Sequence, residues 1–408
     1  MTDSILKVIE NIGLEVSFLV RRTRNKVIRV VFVCARPAIW NSLKSVCEAC
    51  IRDERFDVTI VAIPNKQYVG NSLSHERYIS EGAEDFFSSY SCKVINGYDY
   101  KKKIWIDIKS LHPDYVFFQT PYNICRPPQY SSKVVRKYAK LCYIPYGIQM
   151  LGSEVEDSVF PADFMHDVSY GFADSKNRVE RIFNYMTPTN AGHMRALYLG
   201  FPRFDQYYEE FHKGTWIKQD SFHILWTPRW TTSEGNCNFF DYKDKIVDYV
   251  EKKENSELVF RPHPQLFSYF VATGEITKEE LEAYKGRYAA NESLQIEEGG
   301  DYIPNLCSAN VVVSDETSLL AEYIYSEVPI IFCVKKETHF TPLAEELSKG
   351  FYWAETFEDV EKYLDRIRVG IDPLKKKRLF LKKQFFSVPK GGSGYKIKEY
   401  LKHEFLRK

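Results

Sequence analysis

Residues 310–334 read NVVVSDETSLLAEYIYSEVPIIFCV, and this stretch decides the expected fold of the second half of the chain. The three valines at 311–313 predict a strand that is buried on both faces of a parallel sheet. Hydroxyl and carboxylate side chains follow at Ser314–Ser318, where the apolar spacing changes to that of a helix. Val328–Val334 predicts the next buried strand. This order places a helix N-terminus at the carboxyl edge of the sheet, where free N–H groups favour an anionic ligand.

The rest of the chain repeats this alternation of strands and helical segments. Further strands are predicted at Val27–Cys34, Val58–Ile63, Tyr115–Gln119, Leu141–Ile144, Phe222–Trp226 and Leu258–Phe260. The pattern indicates an α/β fold with parallel, doubly wound sheets. Ligands of such sheets bind outside the carboxyl ends of the strands. We therefore expect Arg36, Tyr146 and Gln149, which follow strands of the first half, to lie on the acceptor side of a site.

Length and composition limit the class of protein. At 408 residues the chain exceeds one ordinary core, which predicts two domains of roughly 150–200 residues each. The net charge of +1 gives no reason to expect a nucleic acid as partner. No apolar run reaches the ~20 residues of a membrane span, and the N-terminus lacks the pattern of a signal peptide. We therefore expect a cytoplasmic protein.

The nine cysteines are scattered, without the spacing of a disulfide framework. Cys47 and Cys50 form a C-x-x-C pair inside a predicted helix. No second pair follows at the distance of a zinc site, so we interpret these two as buried thiols on an apolar face.

Four segments are predicted along the chain. An amphipathic helix with a basic end occupies residues 1–26, a Rossmann-like acceptor domain 27–196, a Rossmann-like nucleotide-donor domain 197–370 and a basic helical tail 371–408. The domain boundary is set by a strand that ends in Gly and Pro before a charged turn. The tail holds twelve Lys or Arg residues against three acids, with large apolar side chains between them. Two interpretations stay open for it: packing back on the first domain, or attachment to anionic lipid at the inner face of the membrane.

Polar side chains follow predicted strands at four loops of the second half. They are Arg203 with Asp205, Arg229, Arg261 with His263, and the run Ser314, Asp315, Glu316, Thr317 and Ser318. A donor that contains a pyrophosphate needs cations, hydrogen-bond donors and a helix N-terminus around it, and these loops supply all three. Each feature alone also fits ordinary structure, since Thr317 or Ser318 could simply cap a helix.

The order of these elements resembles the CDP-glycerol:glycerophosphotransferase family of wall teichoic acid and capsule polymerases. The matching segments are LGFPRFD at 199–205, ILWTP at 224–228, RPHP at 261–264, and SDETS at 314–318 with the strand after it. The resemblance implies a GT-B fold, in which two Rossmann-like domains face a central cleft. It also implies a cytidine-nucleotide donor as substrate, no cofactor and no metal. A His-Pro element followed by a Ser/Thr-Ser helix start is also similar to the CMP-holding sites of sialyltransferases and Kdo transferases.

The resemblance implies roles for individual residues. His263 would contact a donor phosphate and help the nucleotide to leave. The phosphates would be bound by Ser314, Thr317, Ser318, Arg203, Arg229 and Arg261.

The family's His-Gly turn, whose histidine is the expected base, corresponds here to Pro145-Tyr146-Gly147. A tyrosine of ordinary pKa near ~10 is a poor base at neutral pH. The base is therefore predicted at His166 or Asp167, and Tyr146 becomes a substrate contact or a packing residue.

Three functions stay open. The first is a metal-independent transferase that moves a glycerol-phosphate, polyol-phosphate or sugar group from a CDP- or CMP-linked donor onto a cell-surface glycan, a teichoic-acid-like chain or a lipid-linked acceptor. The second is a CMP-sugar or UDP-sugar glycosyltransferase of capsule or lipopolysaccharide synthesis. The third is a non-catalytic protein that binds a nucleotide or a glycan.

Overall fold

A computed structural model describes residues 2–24, 27–68, 76–80, 82–150, 162–186, 195–213, 221–299, 301–335 and 338–407. The strands are β1 (Ile28–Cys34), β2 (Phe56–Ala62), β3 (Asn65–Tyr68), β4 (Glu76–Ile79), β5 (Lys93–Asn96), β6 (Tyr98–Asp99), β7 (Ile104–Trp105), β8 (Tyr115–Phe118), β9 (Lys140–Tyr143), β10 (Tyr170–Phe172), β11 (Arg195–Leu197), β12 (Phe222–Thr227), β13 (Ser256–Phe260), β14 (Leu294–Ile296), β15 (Val311–Ser314), β16 (Ile330–Cys333) and β17 (Tyr352–Ala354).

The helices are α1 (Thr2–Arg24), α2 (Lys44–Ile51), α3 (Ala83–Phe87), α4 (Ser132–Val135), α5 (Ala162–Met165), α6 (Val179–Met186), α7 (Arg203–Lys213), α8 (Phe239–Lys252), α9 (Leu266–Thr273), α10 (Lys278–Ala289), α11 (Ile303–Ser308), α12 (Leu320–Ser326), α13 (Pro342–Ser348), α14 (Phe357–Arg368), α15 (Lys375–Phe385) and α16 (Ser393–Leu406). No helix among the described residues is long and apolar enough to cross a membrane.

The first compact unit comprises Met1–Gly147, Glu154–Gln206 and Ser387–Lys408. Its main sheet has the strand order β11-β10-β9-β8-β1-β2-β5, and every pair is parallel. The central strand β1 is buried throughout Val30–Cys34, as its run of β-branched residues predicts. The strand order reverses between β1 and β8, so a ligand crevice is expected at the carboxyl ends of these two strands.

The second compact unit comprises Ile148–Ser153 and Tyr207–Phe386. Its sheet has the order β14-β13-β12-β15-β16-β17, again with every pair parallel. Numbered along the chain, this is the 3-2-1-4-5-6 order of a Rossmann domain. The valines at 311–313 are fully buried in it, in agreement with the prediction from the opening stretch. The order reverses between β12 and β15, and their register places Thr227 opposite Ser314.

The segment that follows β11 contacts the N-terminus of the C-terminal helix α16. The Asp205 carboxylate accepts the backbone N–H groups of Ser393 and Gly394, both at 2.8 Å, and so caps α16. Gly200 has a φ of +87°, and a Cβ there would lie 2.4 Å from the Ser393 hydroxyl oxygen. This Gly-Phe-Pro-Arg-Phe-Asp segment therefore has a packing role within the first unit. The longer of the two stretches that form the second unit begins at Tyr207.

Several cations of the C-terminal tail take part in internal ion pairs. Lys398 and Lys402 lie 3.1 and 2.6 Å from the Asp53 carboxylate. Arg378 is fully buried and pairs with Asp372. Residues 371–386 belong to the second unit, whereas 387–408 belong to the first.

Replacing Gly394 by Ala tests how closely α16 packs. A Cβ at this position would lie 2.3 Å from the backbone carbonyl carbon of Ser45. We expect Gly394→Ala to lower the free energy of unfolding by about 1–3 kcal/mol, because backbone must move. The control is Gly286→Ala on α10, where a Cβ meets nothing within 4 Å. That change should raise stability by ~0.5–1 kcal/mol. Equal effects of the two substitutions in urea unfolding would contradict this packing.

Candidate functional site

Three loops leave the carboxyl edge of the second sheet side by side. They follow β13, β12 and β15, which are neighbours in that order. The strand order reverses between β12 and β15, so this is the edge where an open parallel sheet binds its ligand. Arg229, His263 and Thr317 each stand on one of the three loops. The sheet topology thus brings together residues from three of the four predicted loops.

The buried Asp315 joins the loop after β12 to the loop after β15. Its carboxylate accepts the backbone N–H of Arg229 at 3.0 Å and that of Asn238 at 2.9 Å. The Asn238 side-chain amide donates to the same carboxylate at 3.0 Å. Because Asp315 is only 1% exposed, burial raises the pKa of its carboxyl to about 6 despite these donors. This one group holds both ends of the 229–238 loop.

Arg229 lies between the two outer loops and is half-buried. Its guanidinium donates to the backbone carbonyl oxygen of Glu316 at 3.1 Å and pairs with the carboxylate of Glu234. The Asn236 amide donates to the Glu316 carboxylate in the same region. The cation is therefore positioned at the strand ends, with part of its charge balanced by Glu234.

His263 is exposed at the outlet of β13 and stacks on Trp230. The ring centroids are 5.7 Å apart and the ring planes differ by 28°. The imidazole Nδ1 accepts the backbone N–H of Gln265 at 3.2 Å. A neutral His263 therefore carries its proton on Nε2, which makes Nε2 a hydrogen-bond donor. Trp230 belongs to the loop that Asp315 anchors, so the position of His263 depends on that loop.

Arg261, two residues before His263, makes contacts of a different kind. Its guanidinium donates to the Gly299 carbonyl oxygen at 3.0 Å and lies 5.6 Å from the centroid of the Tyr302 ring. Partial burial lowers its pKa from the ordinary value. These contacts fix the loop between β13 and α9.

The residues directly after β15 form a loop, where the sequence predicted the start of a helix. Helix α12 begins only at Leu320, and neither Thr317 nor Ser318 is its N-cap. The Thr317 hydroxyl accepts the backbone N–H of Leu319 at 3.3 Å, and Ser318 is exposed. Ser314 is fully buried, where its hydroxyl accepts from Thr227 at 2.8 Å. A hydroxyl bonded within the sheet is a structural group, whereas Thr317 is half-buried and Ser318 is exposed.

Two predicted acceptor-side residues lie at the carboxyl edge of the first sheet. Arg36 follows β1 and is exposed, and its backbone N–H donates to the Gln119 side chain at 2.9 Å. The Tyr146 and Tyr122 hydroxyl oxygens are 3.1 Å apart. Burial raises the pKa of Tyr122, which makes Tyr122 a poor general base.

Arg203 and Gln149 each belong to a different compact unit from the other residues predicted with them. Arg203 belongs to the first unit and is 6% exposed, and it donates to the Tyr146 carbonyl oxygen at 2.5 Å. The fold of the second unit therefore does not bring it together with Arg229. Gln149 clusters with the second unit, where its carbonyl oxygen accepts from the Thr341 hydroxyl at 3.2 Å. Both residues were chosen for their place after a strand, but these contacts come from residues distant in sequence.

The two candidate bases have different environments. Asp167 is buried, accepts the Ser132 hydroxyl at 2.8 Å and pairs with the Arg136 guanidinium at 3.3 Å. His166, which follows α5, is half-buried. Among the described residues, no group of three or more His, Cys, Asp or Glu is arranged to hold a metal ion.

Sequence reasoning missed the residues that organise the loop after β12. The sequence assigned no role to Trp230, Asn236 or Asn238, because they have no periodicity and match no motif. The available signal was the length of the polar segment between β12 and α8, since a long loop at the edge of a parallel sheet is often functional.

No family model matches this chain, and no curated protein matches it by sequence. Solved structures do match in fold. The UDP-GlcNAc 2-epimerase of Neisseria meningitidis, bound to UDP-GlcNAc, has a TM-score of 0.58 and 12% identity over 93% of this chain and 99% of that chain. A variant of the wall teichoic acid polymerase TagF has a TM-score of 0.58 and 13% identity over 100% of this chain and 98% of that chain. The same polymerase soaked with CDPG has a TM-score of 0.56, with 12% identity over 100% of this chain and 98% of that chain.

The chain has the GT-B fold. The α/β class and the two Rossmann-like domains predicted from the sequence are confirmed. At these identities the likeness concerns the fold alone.

Asp315→Asn tests the anchoring carboxylate. The folded-state pKa of about 6 lies above the ordinary value of 3.8. Between about pH 4 and pH 6 the folded state thus binds the proton that the unfolded state has released. The stability contributed by this titration is complete below pH 4 and falls as the pH rises to about 6. We expect the stability of the wild type relative to Asp315→Asn to fall over that window, on the order of 2–3 kcal/mol. The measurement is the free energy of unfolding of both proteins, from denaturant titrations between pH 4 and pH 7. A difference between wild type and Asp315→Asn that does not change with pH would contradict the raised pKa.

Proposed function

We propose that this chain is a metal-independent transferase with a cytidine-nucleotide donor. It would move a polyol-phosphate or sugar group from a CDP- or CMP-linked donor to a hydroxyl of a cell-surface glycan or teichoic-acid-like acceptor. The observation that carries the proposal is the position of Arg229, His263 and Thr317–Ser318 on three neighbouring loops at the switch point of the second sheet. The likeness in fold to a teichoic acid polymerase over the whole chain supports it.

The three loops suit a donor whose phosphates lie across the strand ends. The Nε2–H of His263 would donate to a phosphate oxygen, and the hydroxyls of Thr317 and Ser318 would donate from the other side. Arg229 would supply positive charge between them. When the acceptor oxygen attacks the transferred group, the bond to the nucleotide phosphate breaks and negative charge grows on the leaving oxygen. Donors already fixed around that oxygen stabilise the transition state more than the bound substrate.

The acceptor hydroxyl must lose a proton in this reaction. We assign this role to His166 ahead of Asp167, because the Asp167 carboxylate is buried and already paired with Arg136. An imidazole also has an ordinary pKa near ~6.5, close to the operating pH, as a general base requires.

A second candidate keeps the fold and changes the donor to a UDP-linked sugar. It is favoured by the likeness to an enzyme solved with UDP-GlcNAc, whose TM-score equals that of the polymerase variant. The two candidates differ in the nucleobase that the donor site must bind, cytosine or uracil.

Replacing His263 by Ala tests the donor site. We expect turnover to fall roughly 100- to 1,000-fold, the usual cost of removing one preorganised hydrogen-bond donor. Stability should change little because His263 is exposed. The measurement is release of cytidine nucleotide from CDP-glycerol in the presence of an acceptor. The control is His403→Ala, whose side chain is 72% exposed on α16. Normal turnover by a folded His263→Ala protein would contradict the proposed role.

Thermal unfolding with a panel of nucleotides tests donor identity. A ligand that binds only the folded state raises the melting temperature in proportion to the logarithm of its concentration over Kd. We expect CDP and CMP to raise it and UDP to leave it unchanged. Stabilisation by UDP alone would favour the second candidate. Binding without transfer or donor hydrolysis would identify a non-catalytic protein.

A further inference from the structure

Two cysteines from different elements of the first unit are in contact. Cys47 lies on α2, and Cys92 directly precedes β5, the edge strand of the first sheet. The Cys92 sulfur is in hydrogen-bonding contact with the Cys47 thiol. Both are free thiols, as are the other cysteines of the chain. The fold therefore places two oxidisable sulfur atoms side by side.

Aromatic packing next to the pair holds the two segments together. The Trp40 indole N–H, from the turn before α2, donates to the Tyr90 hydroxyl at 2.5 Å. The Trp40 ring also packs edge-on against Phe87, with ring centroids 4.8 Å apart, and both of these side chains are buried. The segment that leads to Cys92 is thus fixed on the segment that leads to Cys47.

The two thiols differ in exposure and in acidity. Cys47 is fully buried, whereas Cys92 is half-buried between the exposed Ser91 and Lys93. Burial raises the pKa of Cys47. The hydrogen bond from the Cys47 thiol lowers the pKa of Cys92, and the Ile60 backbone adds a further hydrogen bond. Cys92 is therefore the thiol that ionises and the one that a dissolved reagent reaches.

The C-x-x-C motif of the sequence does not form this reactive pair. Cys50 lies one turn beyond Cys47 on α2 and is fully buried, and burial raises its pKa as well. Two thiols that are both kept neutral are poor nucleophiles. The contact that gives Cys47 a reactive neighbour comes instead from Cys92, on another element.

We propose that Cys92 is a site of oxidation by hydroperoxides and that Cys47 then closes a disulfide bond with it. Both residues belong to the first unit, whereas the donor-site loops belong to the second. The proposal is therefore independent of the proposed transferase activity. Because the sulfur atoms are already in contact, only a small approach brings them to the S–S bond length of about 2.05 Å.

The oxidation has two steps. The Cys92 thiolate attacks a peroxide oxygen, so that an S–O bond forms, the O–O bond breaks, and the leaving hydroxide takes up a proton to become water. The Cys47 sulfur then attacks the Cys92 sulfur, so that the S–S bond forms and the S–O bond breaks. The second oxygen leaves as water with the Cys47 proton. The two thiols lose two electrons, the peroxide gains them, and a thiol reductant reverses the bond.

The test treats the reduced full chain with hydrogen peroxide at neutral pH, without denaturant. Disulfides are mapped by mass spectrometry of a digest made without reduction. We expect the peptides of Cys47 and Cys92 to be joined, and to separate after dithiothreitol. Cys92→Ser should lose the joined peptide. In Cys47→Ala the sulfenic acid of Cys92 loses its partner, so dimedone should trap it.

The matched control is Cys125→Ser. Cys125 is also half-buried and belongs to the first unit, and this variant should form the same bond as the wild type. Cys34→Ala removes the third thiol of the neighbourhood, which is fully buried. It should likewise leave the bond unchanged.

Three results with the wild-type chain would overturn the proposal, whether or not Cys47→Ala folds. One is a Cys92 that is oxidised no faster than Cys125. Another is a Cys92 that is bonded to a cysteine other than Cys47, in the same chain or in a second copy. The third is a Cys47–Cys92 bond that forms only in urea, because the two thiols would then not be in contact in the folded chain.

Discussion

A single buried carboxylate determines the arrangement of the candidate site. Removing a charge from water is costly unless donors replace the lost solvent, and Asp315 receives three N–H groups for this purpose. Because two of these are backbone groups at the two ends of one loop, the carboxylate fixes the course of that loop. Trp230 lies in the loop, and the His263 ring stacks on Trp230. The position of the exposed imidazole thus depends on a group that is itself out of contact with solvent.

The sheet topology explains why the loops meet at all. In the second unit the chain lays down β12 first, adds β13 and β14 on one side, and then crosses to the other side with β15. A change of side of this kind leaves a crevice between the first and fourth strands at their carboxyl ends. The register of Thr227 opposite Ser314 makes the two strands end level. Backbone pairing alone therefore brings the loops after β12 and β15 to the same edge of the sheet. Side-chain contacts then fix the position of each loop.

The sequence predicted the scaffold well because runs of β-branched residues record burial locally. The opening stretch predicted β15 and β16, and the alternation of strands with helices predicted the fold class, which is confirmed. Between β8 and β9 the chain forms short turns and the helix Ser132–Val135, because Lys140 already starts β9. A local sequence pattern cannot show where a strand begins when its start is set by pairing with strands distant in sequence.

The site was predicted less completely, for the same reason. Arg203 and Asp205 stand in a motif that reads as phosphate-binding, yet Asp205 caps a helix almost two hundred residues later in the chain. Ser314 was expected to contact phosphate, and its hydroxyl is used between two strands. Contacts of this kind join residues far apart in sequence, so spacing within a segment contains no record of them. The placement of His263 and Thr317 at one edge of the sheet depended only on which strand each follows, and the topology confirms that those strands are close in the sheet.

The most direct test of the account is a crystal structure of the chain with CDP. We expect the diphosphate at the outlets of β12, β13 and β15, with a phosphate oxygen within hydrogen-bonding distance of His263 Nε2 and others near Thr317 and Ser318. A nucleotide bound away from these three loops would contradict the account, as would side chains of the second unit closing the space between His263 and Thr317.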